Sequence, residues 1–166
     1  YSGLDLPREG LLKLGGEGKP AAFKKVEKIE VAPPRLEGNL FKLYLATPAV
    51  FSQGWLPGWL DEKTLVGNYQ GLKLRLLTAC LGRYEPIGGF NIGKKRPKPL
   101  RRAVPAGSVY YFELLEGDVS DIIAVFHNQN IIGTDLSPAV DSNKKEDYLQ
   151  YAQQGFGLAY VGKVQL

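Results

Sequence analysis

Apolar and polar residues alternate along much of the chain, and this alternation predicts β-strands with one buried face. In residues 39–46, for example, Phe41, Leu43 and Leu45 point to the same side. Further strands are predicted at 22–32, where Pro33-Pro34 ends the segment, and at 71–81, 108–115 and 158–166. Their apolar positions expected to face inward include Leu72, Leu74, Leu76, Leu158, Tyr160, Val164 and Leu166.

Helical periodicity occurs in two short segments, residues 118–127 and 143–153. The first can be capped by Asp118 or Ser120, whose side-chain oxygens accept hydrogen bonds from the first turn. The inward stripes are Ile122, Val125 and Phe126 in the first helix, and Leu149 and Ala152 in the second. Strands mixed with two short helices indicate an α+β fold with a mostly antiparallel sheet.

Two other segments predict irregular structure. Residues 14–20 are rich in glycine but lack the spacing and the Ser or Thr of a phosphate-binding loop, so they predict a turn before a strand. Residues 47–66 contain two prolines and two tryptophans and predict a long loop insertion. Its aromatic residues Phe51, Trp55 and Trp59 either close the edge of the core or form a contact surface for a partner.

Composition narrows the class of protein. The 166 residues allow one domain, or one domain with an extension, and the 20 glycines and 11 prolines argue against a helical bundle. The chain starts at Tyr1 and lacks methionine, so we expect a piece of a longer protein. Its single cysteine, Cys80, is expected to be a buried small hydrophobe, and the lack of a disulfide framework fits the cytoplasm. No apolar run approaches the ~18 residues of a membrane span.

The positive charge is local. Residues 83–102 contain seven cations and one anion, Glu85, so this segment carries +6 in a chain of net charge +4 and the remainder carries −2. Clustered cations beside glycines and aromatic rings are typical of single-stranded nucleic-acid binding, in which phosphates follow the cations and bases stack on rings. A solvated hairpin tip without a specific ligand is the alternative.

Catalytic chemistry has little support in the sequence. The only histidine, His127, falls at the end of the first predicted helix, where it can cap carbonyl groups or lie at the surface. One cysteine and one histidine are too few ligands for a zinc site of this chain alone. The residues therefore favour polyanion binding over catalysis.

Five stretches of the chain together resemble one known family. They are LLKLGGEGK (11–19), YLATPAVFSQGWLPG (44–58), RYEPIGGFNI (83–92), KPLRRAVPAGSVYYFEL (98–114) and QGFGLAYVGK (154–163). This set is similar to the C-terminal portion of the third Cmr subunit of type III-B CRISPR effector complexes, a RAMP-superfamily protein.

The resemblance implies a ferredoxin-like (RRM-like) RAMP domain over residues 1–166, with long loop insertions and a mostly antiparallel sheet. It implies a non-catalytic RNA-binding subunit that needs no cofactor and holds the 5′ tag of the guide RNA. Its implied partners are the guide RNA, the large polymerase-like Cmr subunit and the backbone RAMP subunits. Two alternatives stay open, namely a RAMP-type endoribonuclease that uses His127, and a purely protein-docking module.

Candidate site residues come from two sources. The charge and glycine pattern indicates an RNA contact, and the C-terminal glycines match the superfamily's glycine-rich loop. The RNA-binding candidates are Arg83, Gly88, Gly89, Lys94, Lys95, Arg96, Lys98, Arg101, Arg102, Gly155 and Gly157. The protein-contact candidates are Phe51, Trp55 and Trp59.

Overall fold

The structure is a computed structural model that describes residues 7–15, 18–27, 31–91, 93, 95–132 and 149–165. The chain divides into two compact units, residues 1–32 and 33–166. Each unit contains its own antiparallel strand pairs.

The first unit contains a hairpin of β1 (Glu9–Leu14) and β2 (Lys19–Lys24). Gly15 and Gly18 in its turn have φ of +68° and +67°, which glycine adopts without steric cost. The turn predicted at 14–20 is therefore confirmed. The strand predicted at 22–32 is wrong after Lys24, because residues 25–27 and 31–32 are irregular; residues 28–30 lie outside the described residues.

The second unit is built on a six-stranded antiparallel sheet. Its strands are β3 (Leu40–Leu45), β4 (Val66–Tyr69), β5 (Leu72–Cys80), β10 (Val109–Glu116), β11 (Gln129–Asn130) and β12 (Leu158–Lys163). They lie in the order β11-β12-β3-β10-β5-β4. Between β5 and β10 the chain forms four shorter strands, β6 (Glu85–Ile87), β7 (Phe90–Asn91), β8 (Arg96–Pro97) and β9 (Arg101–Ala103).

One face of this sheet forms the core, because alternate residues of each strand point to the same side. The predicted inward residues of β3 and β5 are confirmed, and β10 adds two aromatic rings. The buried residues on these strands are Phe41, Leu43, Leu45, Leu72, Leu74, Leu76, Tyr110, Phe112 and Leu114. Charged side chains such as Lys73 and Arg75 lie on the other face.

Helix α1 (Val119–Phe126) packs on the apolar face. Asp118 caps it, since its carboxylate accepts a hydrogen bond from the Ser120 backbone N–H at 2.8 Å, as predicted. Ile122 and Phe126 are buried, and the Phe126 ring lies 5.9 Å from that of Phe41. The helix predicted at 118–127 is thus confirmed.

The loop predicted at 47–66 contributes to the same core. It has only isolated β-bridges, and the Trp59 ring packs 5.4 Å from Phe112 and 5.2 Å from Tyr69. Phe51 and Leu56 are also buried. The insertion is therefore a structured loop, and most of its large side chains close the core.

Cys80 is exposed, so its expected burial is wrong. The reason is a β-bulge in β5, where the pairing with β10 shifts between Leu76↔Phe112 and Thr78↔Tyr111. A bulge adds one residue and reverses the alternation that follows it. Cys80 therefore faces outward, although the spacing from Leu76 predicts the opposite.

The inward face predicted for the last strand is also wrong. Ala159 and Val161 are buried, whereas Leu158 and Tyr160 are half-exposed. Both sides of this strand are apolar, so alternation cannot distinguish them. Strand pairing determines which face is buried. Ala159 and Val161 lie opposite the buried Leu45 and Leu43, and opposite residues share a face. Val164 follows the strand, and Leu166 lies outside the described residues.

Residues 149–153 are helical, which confirms the described part of the second predicted helix; residues 143–148 lie outside the described residues. Ala152 is half-buried as predicted, but Leu149 is exposed and Tyr151 is buried instead. The helical segment ends in a turn in which the Phe156 N–H donates to the Tyr151 carbonyl at 3.1 Å.

Candidate nucleic-acid interface

A long β-ribbon extends from the connection between β5 and β10. It comprises residues 83–103, which we call the arm. In its first half β6 pairs with β9, with Glu85 opposite Ala103. In its second half β7 pairs with β8, with Phe90 opposite Pro97. In its described residues, the predicted basic segment is therefore a two-stranded ribbon that turns back between β7 and β8.

The root of the arm is fixed to the core. Ala103 and Val104 are buried, and Val104 exchanges two backbone hydrogen bonds with Ala49, at 2.9 and 2.8 Å. Ile87 also packs against the core cluster. Farther along, the backbone N–H of Lys98 donates to the Gly89 carbonyl at 2.8 Å. These contacts hold the root in one position relative to the sheet.

Most of the arm's cations are exposed. Arg83, Lys95, Arg96 and Arg102 are solvent-exposed, while Lys98 and Arg101 are half-buried. Lys94 lies outside the described residues. Charged nitrogens at this density attract phosphate groups, since each can neutralise one negative charge.

Ion pairs between described residues lie on the sheet or next to it. They join Lys73 to Glu116, Arg75 to Glu113 at 3.4 Å, and Lys163 to Glu37 at 2.8 Å. In the described parts of the chain, no carboxylate forms such a pair with Arg83, Lys95, Arg96 or Arg102. These four cations therefore keep their charge available for a ligand.

Arg102 stacks on an aromatic ring at the root of the arm. Its guanidinium carbon lies 4.8 Å from the centre of the Tyr84 ring. The ladder explains this contact, because Arg102 is opposite Pro86 and Tyr84 lies two residues earlier on the same face. A stacked guanidinium still presents its N–H edge to phosphate oxygens.

Lys98 connects the arm to the helical segment 149–153. Its Nζ donates a hydrogen bond to the Gln150 Oε1 at 3.0 Å. The partner is a neutral amide, so the positive charge of Lys98 is not cancelled. This contact supports the middle of the arm from one side.

Gly88 and Gly89 lie between the two halves of the arm, and neither has positive φ. A Cβ on Gly89 would meet only the Lys98 Cδ, at an ordinary 3.6 Å. A Cβ on Gly88 would approach the Leu100 Cδ2 at 2.9 Å, which is the end of an exposed side chain. Local structure does not demand glycine at Gly89, where the bare backbone is open to a ligand.

The C-terminal glycines differ from these. Gly155 and Gly157 have φ of +86° and +78° in the turn after the helical segment. Gly157 is also buried, and a Cβ there would come within 2.7 Å of Ile132. Backbone conformation and packing thus account for both glycines without a ligand, so we leave them out of the RNA contact proposed below.

Of the three aromatic candidates for protein contact, the structure leaves Trp55 at the surface. Phe51 is buried and Trp59 packs in the core, but Trp55 is 46% exposed. The Tyr110 hydroxyl donates to the Trp55 carbonyl at 2.6 Å, and burial raises the pKa of that phenol, so it remains a donor. Sequence reasoning missed Tyr110, because only the fold brings it next to Trp55.

His127 is 9% exposed, so of the two positions expected for it the surface position is wrong. It occupies the C-cap of α1, its Nδ1 accepts a hydrogen bond from the Val161 N–H at 3.4 Å, and its ring packs edge-on to Tyr160.

In the parts of the chain that the structure describes, no three His, Cys, Asp or Glu side chains form a group that could hold a metal ion. No helix of the described residues is long and apolar enough to cross a membrane.

Comparison with known proteins agrees with the resemblance of the sequence motifs. Residues 3–164 match the family model described as CRISPR-associated protein (Cas_Cmr3). No curated protein matches the chain. The match covers nearly all of the chain. It includes the arm, the sheet and the loop 46–65, which contains Phe51, Trp55 and Trp59 and which we call the aromatic loop. The chain therefore belongs to the Cmr3 family, whose members are subunits of the multi-subunit type III-B Cmr complex of CRISPR antiviral defence.

Proposed function

We propose that this subunit binds the guide RNA of the Cmr complex through the arm, as a structural and non-catalytic component. The observation that carries the proposal is the two-stranded ribbon with exposed Arg83, Lys95, Arg96 and Arg102. Phosphates beside these four side chains would be neutralised without displacing a carboxylate of the described residues. The proposed RNA segment is the 5′ tag, which the resemblance to the family implies.

The proposal includes a ferredoxin-like architecture for the second unit. Strands β12, β3, β10 and β5 are, in chain order, the fourth, first, third and second of this set, and neighbours are antiparallel. Helix α1 follows β10, as the second helix follows the third strand in a βαββαβ fold. The loop 46–65 occupies the place of the first helix, which supports a ferredoxin-like domain with an altered first crossover.

The experiment measures RNA binding by the full chain as a function of salt. Filter binding of a single-stranded repeat RNA would compare the native chain with the triple variant Lys95→Ala, Arg96→Ala, Arg102→Ala. Each phosphate contact contributes about −0.7 to the log–log salt slope for a single strand, so losing three contacts makes the slope shallower by about 2. Affinity at low salt falls at the same time.

The matched control removes two cations from the sheet. In Lys73→Ala, Arg75→Ala both lost charges are ion-paired with Glu116 and Glu113, so the salt slope is expected to stay unchanged. An equal loss of slope in both variants would mean that total charge, and not the arm, governs binding. An unchanged slope in the arm variant would exclude the arm as the RNA contact.

The position of His127 argues against the endoribonuclease alternative. A general base must reach the 2′-hydroxyl within hydrogen-bond distance, but the His127 ring is buried and packs against Tyr160. We therefore expect no metal-independent cleavage of repeat RNA by the chain. Cleavage that disappears in His127→Ala would contradict the non-catalytic role.

Protein docking is a second candidate function, and one edge of the sheet favours it. Strand β4 pairs with residues 72–75, and the Leu76 N–H donates to the Leu65 carbonyl at 2.8 Å, so β5 extends beyond its neighbour from Leu77 onward. Leu77 is exposed there, beside an apolar cleft of about 440 Å³ that Leu65 also lines. We propose this edge for the large polymerase-like subunit, since exposed apolar edges are templates for added strands. Loss of co-purification in Leu77→Arg, with unchanged RNA binding, would support it.

A further inference from the structure

We infer that a cleft at the root of the arm holds one unstacked base of the RNA strand whose phosphates bind the arm. This inference rests on the proposed RNA-binding function and adds a second, uncharged element to it. The arm would supply attraction for any single strand, and the cleft would fix the position of one nucleotide along it.

The cleft lies between the aromatic loop, the end of β5 and the return strand of the arm. Its volume is about 240 Å³, below the ~300–1,000 Å³ of sites that hold drug-sized ligands, so it suits a single planar ring system. Its lining residues are Gly54, Trp55, Leu81, Gly82, Tyr84 and the segment 102–105. Apart from Arg102 this lining is apolar or glycine, which matches the faces of a base.

Two of the lining side chains are exposed aromatic rings. Trp55 is 46% exposed and Tyr84 is also exposed, although most other large apolar residues described in this unit are buried or half-buried. Every base has a π-face, and exposed rings in a cationic groove bind bases by stacking. The Tyr110–Trp55 hydrogen bond fixes the backbone beneath Trp55, so its position depends on the core and not on the ligand.

Arg102 connects the cleft with the arm. It lines the cleft, stacks on Tyr84 at 4.8 Å and belongs to the row of arm cations. A base in the cleft would have its own phosphate at the rim, where the N–H edge of this guanidinium is exposed. An apolar side chain of a partner protein would fill the cleft equally well but would leave Arg102 at its rim without an anion. Charge complementarity therefore favours a nucleotide.

The first experiment separates stacking from charge. Trp55→Ala should weaken binding of a short oligouridylate by about 5- to 150-fold at every salt concentration, because stacking on one ring contributes ~1–3 kcal/mol. The salt slope should not change, since no cation is lost. Tyr44→Ala is the matched control, because Tyr44 is also 46% exposed but lies on the sheet and does not line the cleft. Its affinity should equal that of the native chain.

A second probe tests the base directly. An oligoribonucleotide with abasic sites keeps the phosphates but offers no ring, so the native chain and Trp55→Ala should bind it equally. Trp55 emission should be quenched by oligouridylate, while Trp59, which packs among Tyr69, Phe112 and Phe126, should not respond. Tyr84→Ala is an independent test, because Tyr84 is the second exposed ring that lines the cleft.

The possible outcomes distinguish this inference from the proposed function. If the arm variant loses its salt slope but Trp55→Ala and Tyr84→Ala bind oligouridylate normally, the arm binds RNA and the base cleft is wrong. If Tyr84→Ala, whose ring lines this cleft but not the cleft beside Leu77, loses co-purification with the large subunit instead, the base cleft holds a protein side chain and the inference is wrong. If the arm variant also binds normally, both the function and the inference fail.

Discussion

The arm and the sheet contain the same kinds of residue, but they use them differently. On the sheet, cations such as Arg75 are paired with carboxylates, and aromatic rings such as Phe112 are buried. On the arm, Arg96 and Phe90 are both exposed. On the sheet such side chains are thus paired or buried within the protein, whereas on the arm they are exposed to solvent.

This difference indicates that stability and ligand binding are located in separate parts of the molecule. Changes in the sheet should lower the free energy of unfolding and leave RNA binding intact in the folded fraction. Changes in the arm should do the reverse. Matched substitutions of the same residue type in the two regions test this separation.

The largest expected effect comes from an aromatic ring. Phe112 is fully buried, with its ring 5.6 Å from that of Phe41, so Phe112→Ala should lower the free energy of unfolding by about 3–5 kcal/mol. Phe90 on the arm is 59% exposed, and Phe90→Ala should change it by no more than about 0.5 kcal/mol. Urea unfolding measures both. Similar losses would show that the arm is part of the cooperative core.

The next largest effect on stability is expected from replacing a glycine of the sheet, compared with a glycine of the arm. A Cβ on Gly67 would lie 1.9 Å from the Trp59 carbonyl oxygen, so Gly67→Ala should destabilise the fold by about 1–3 kcal/mol through a backbone shift. Gly89 on the arm has room for a Cβ, so Gly89→Ala should leave stability unchanged but weaken RNA binding. Thermal unfolding and filter binding together check the pair. Normal RNA affinity in Gly89→Ala would show that this glycine does not contact the RNA.

A smaller effect is expected from the ion pair between Arg75 and Glu113. Both side chains are partly exposed, so a double-mutant cycle should give a coupling of no more than about 1 kcal/mol. Glu113→Gln releases Arg75 without changing the arm, and we expect no steeper salt slope for RNA binding. A steeper slope would show that a released cation on the sheet also binds RNA. It would contradict the assignment of RNA binding to the arm alone.

The smallest effect is a pH dependence of the sheet unit. A hydrogen bond from the Ser120 backbone holds the pKa of Asp118 below its ordinary value, and the Thr64 backbone does the same for Asp61. A depressed pKa contributes stability above the unfolded-state value, and this is lost as the pH falls through the lower folded-state value. Asp118→Asn keeps the cap but cannot titrate. Its melting temperature should therefore fall less than that of the native chain below about pH 4.

Much of the fold was predictable from local pattern. Strands β3, β5 and β10 and helix α1 agree with the prediction, because strict alternation or a single apolar stripe allows one buried face. The prediction was wrong where both faces are apolar, as in β12, and where a bulge reverses the alternation before Cys80. Pairing between strands decides these positions, and it involves residues distant in sequence.

The candidate site shows the same division. The cation cluster of residues 83–102 is visible in the sequence because charge needs no structure to be counted. The sequence does not show that the cluster forms a ribbon anchored at Val104. Nor does it separate exposed Trp55 from buried Phe51 and half-buried Trp59. Each depends on contacts between the loop, the core and the insertion.

By itself, then, the sequence determined which segments alternate, where the positive charge is concentrated and which family the chain resembles. The tertiary structure alone decided which cations pair with the carboxylates of the sheet, which tryptophan faces solvent and where an apolar cleft meets Arg102. The physical reason is that composition and periodicity are local quantities. Pairing, burial and cleft formation depend on segments that meet only after folding, as Tyr110 meets Trp55.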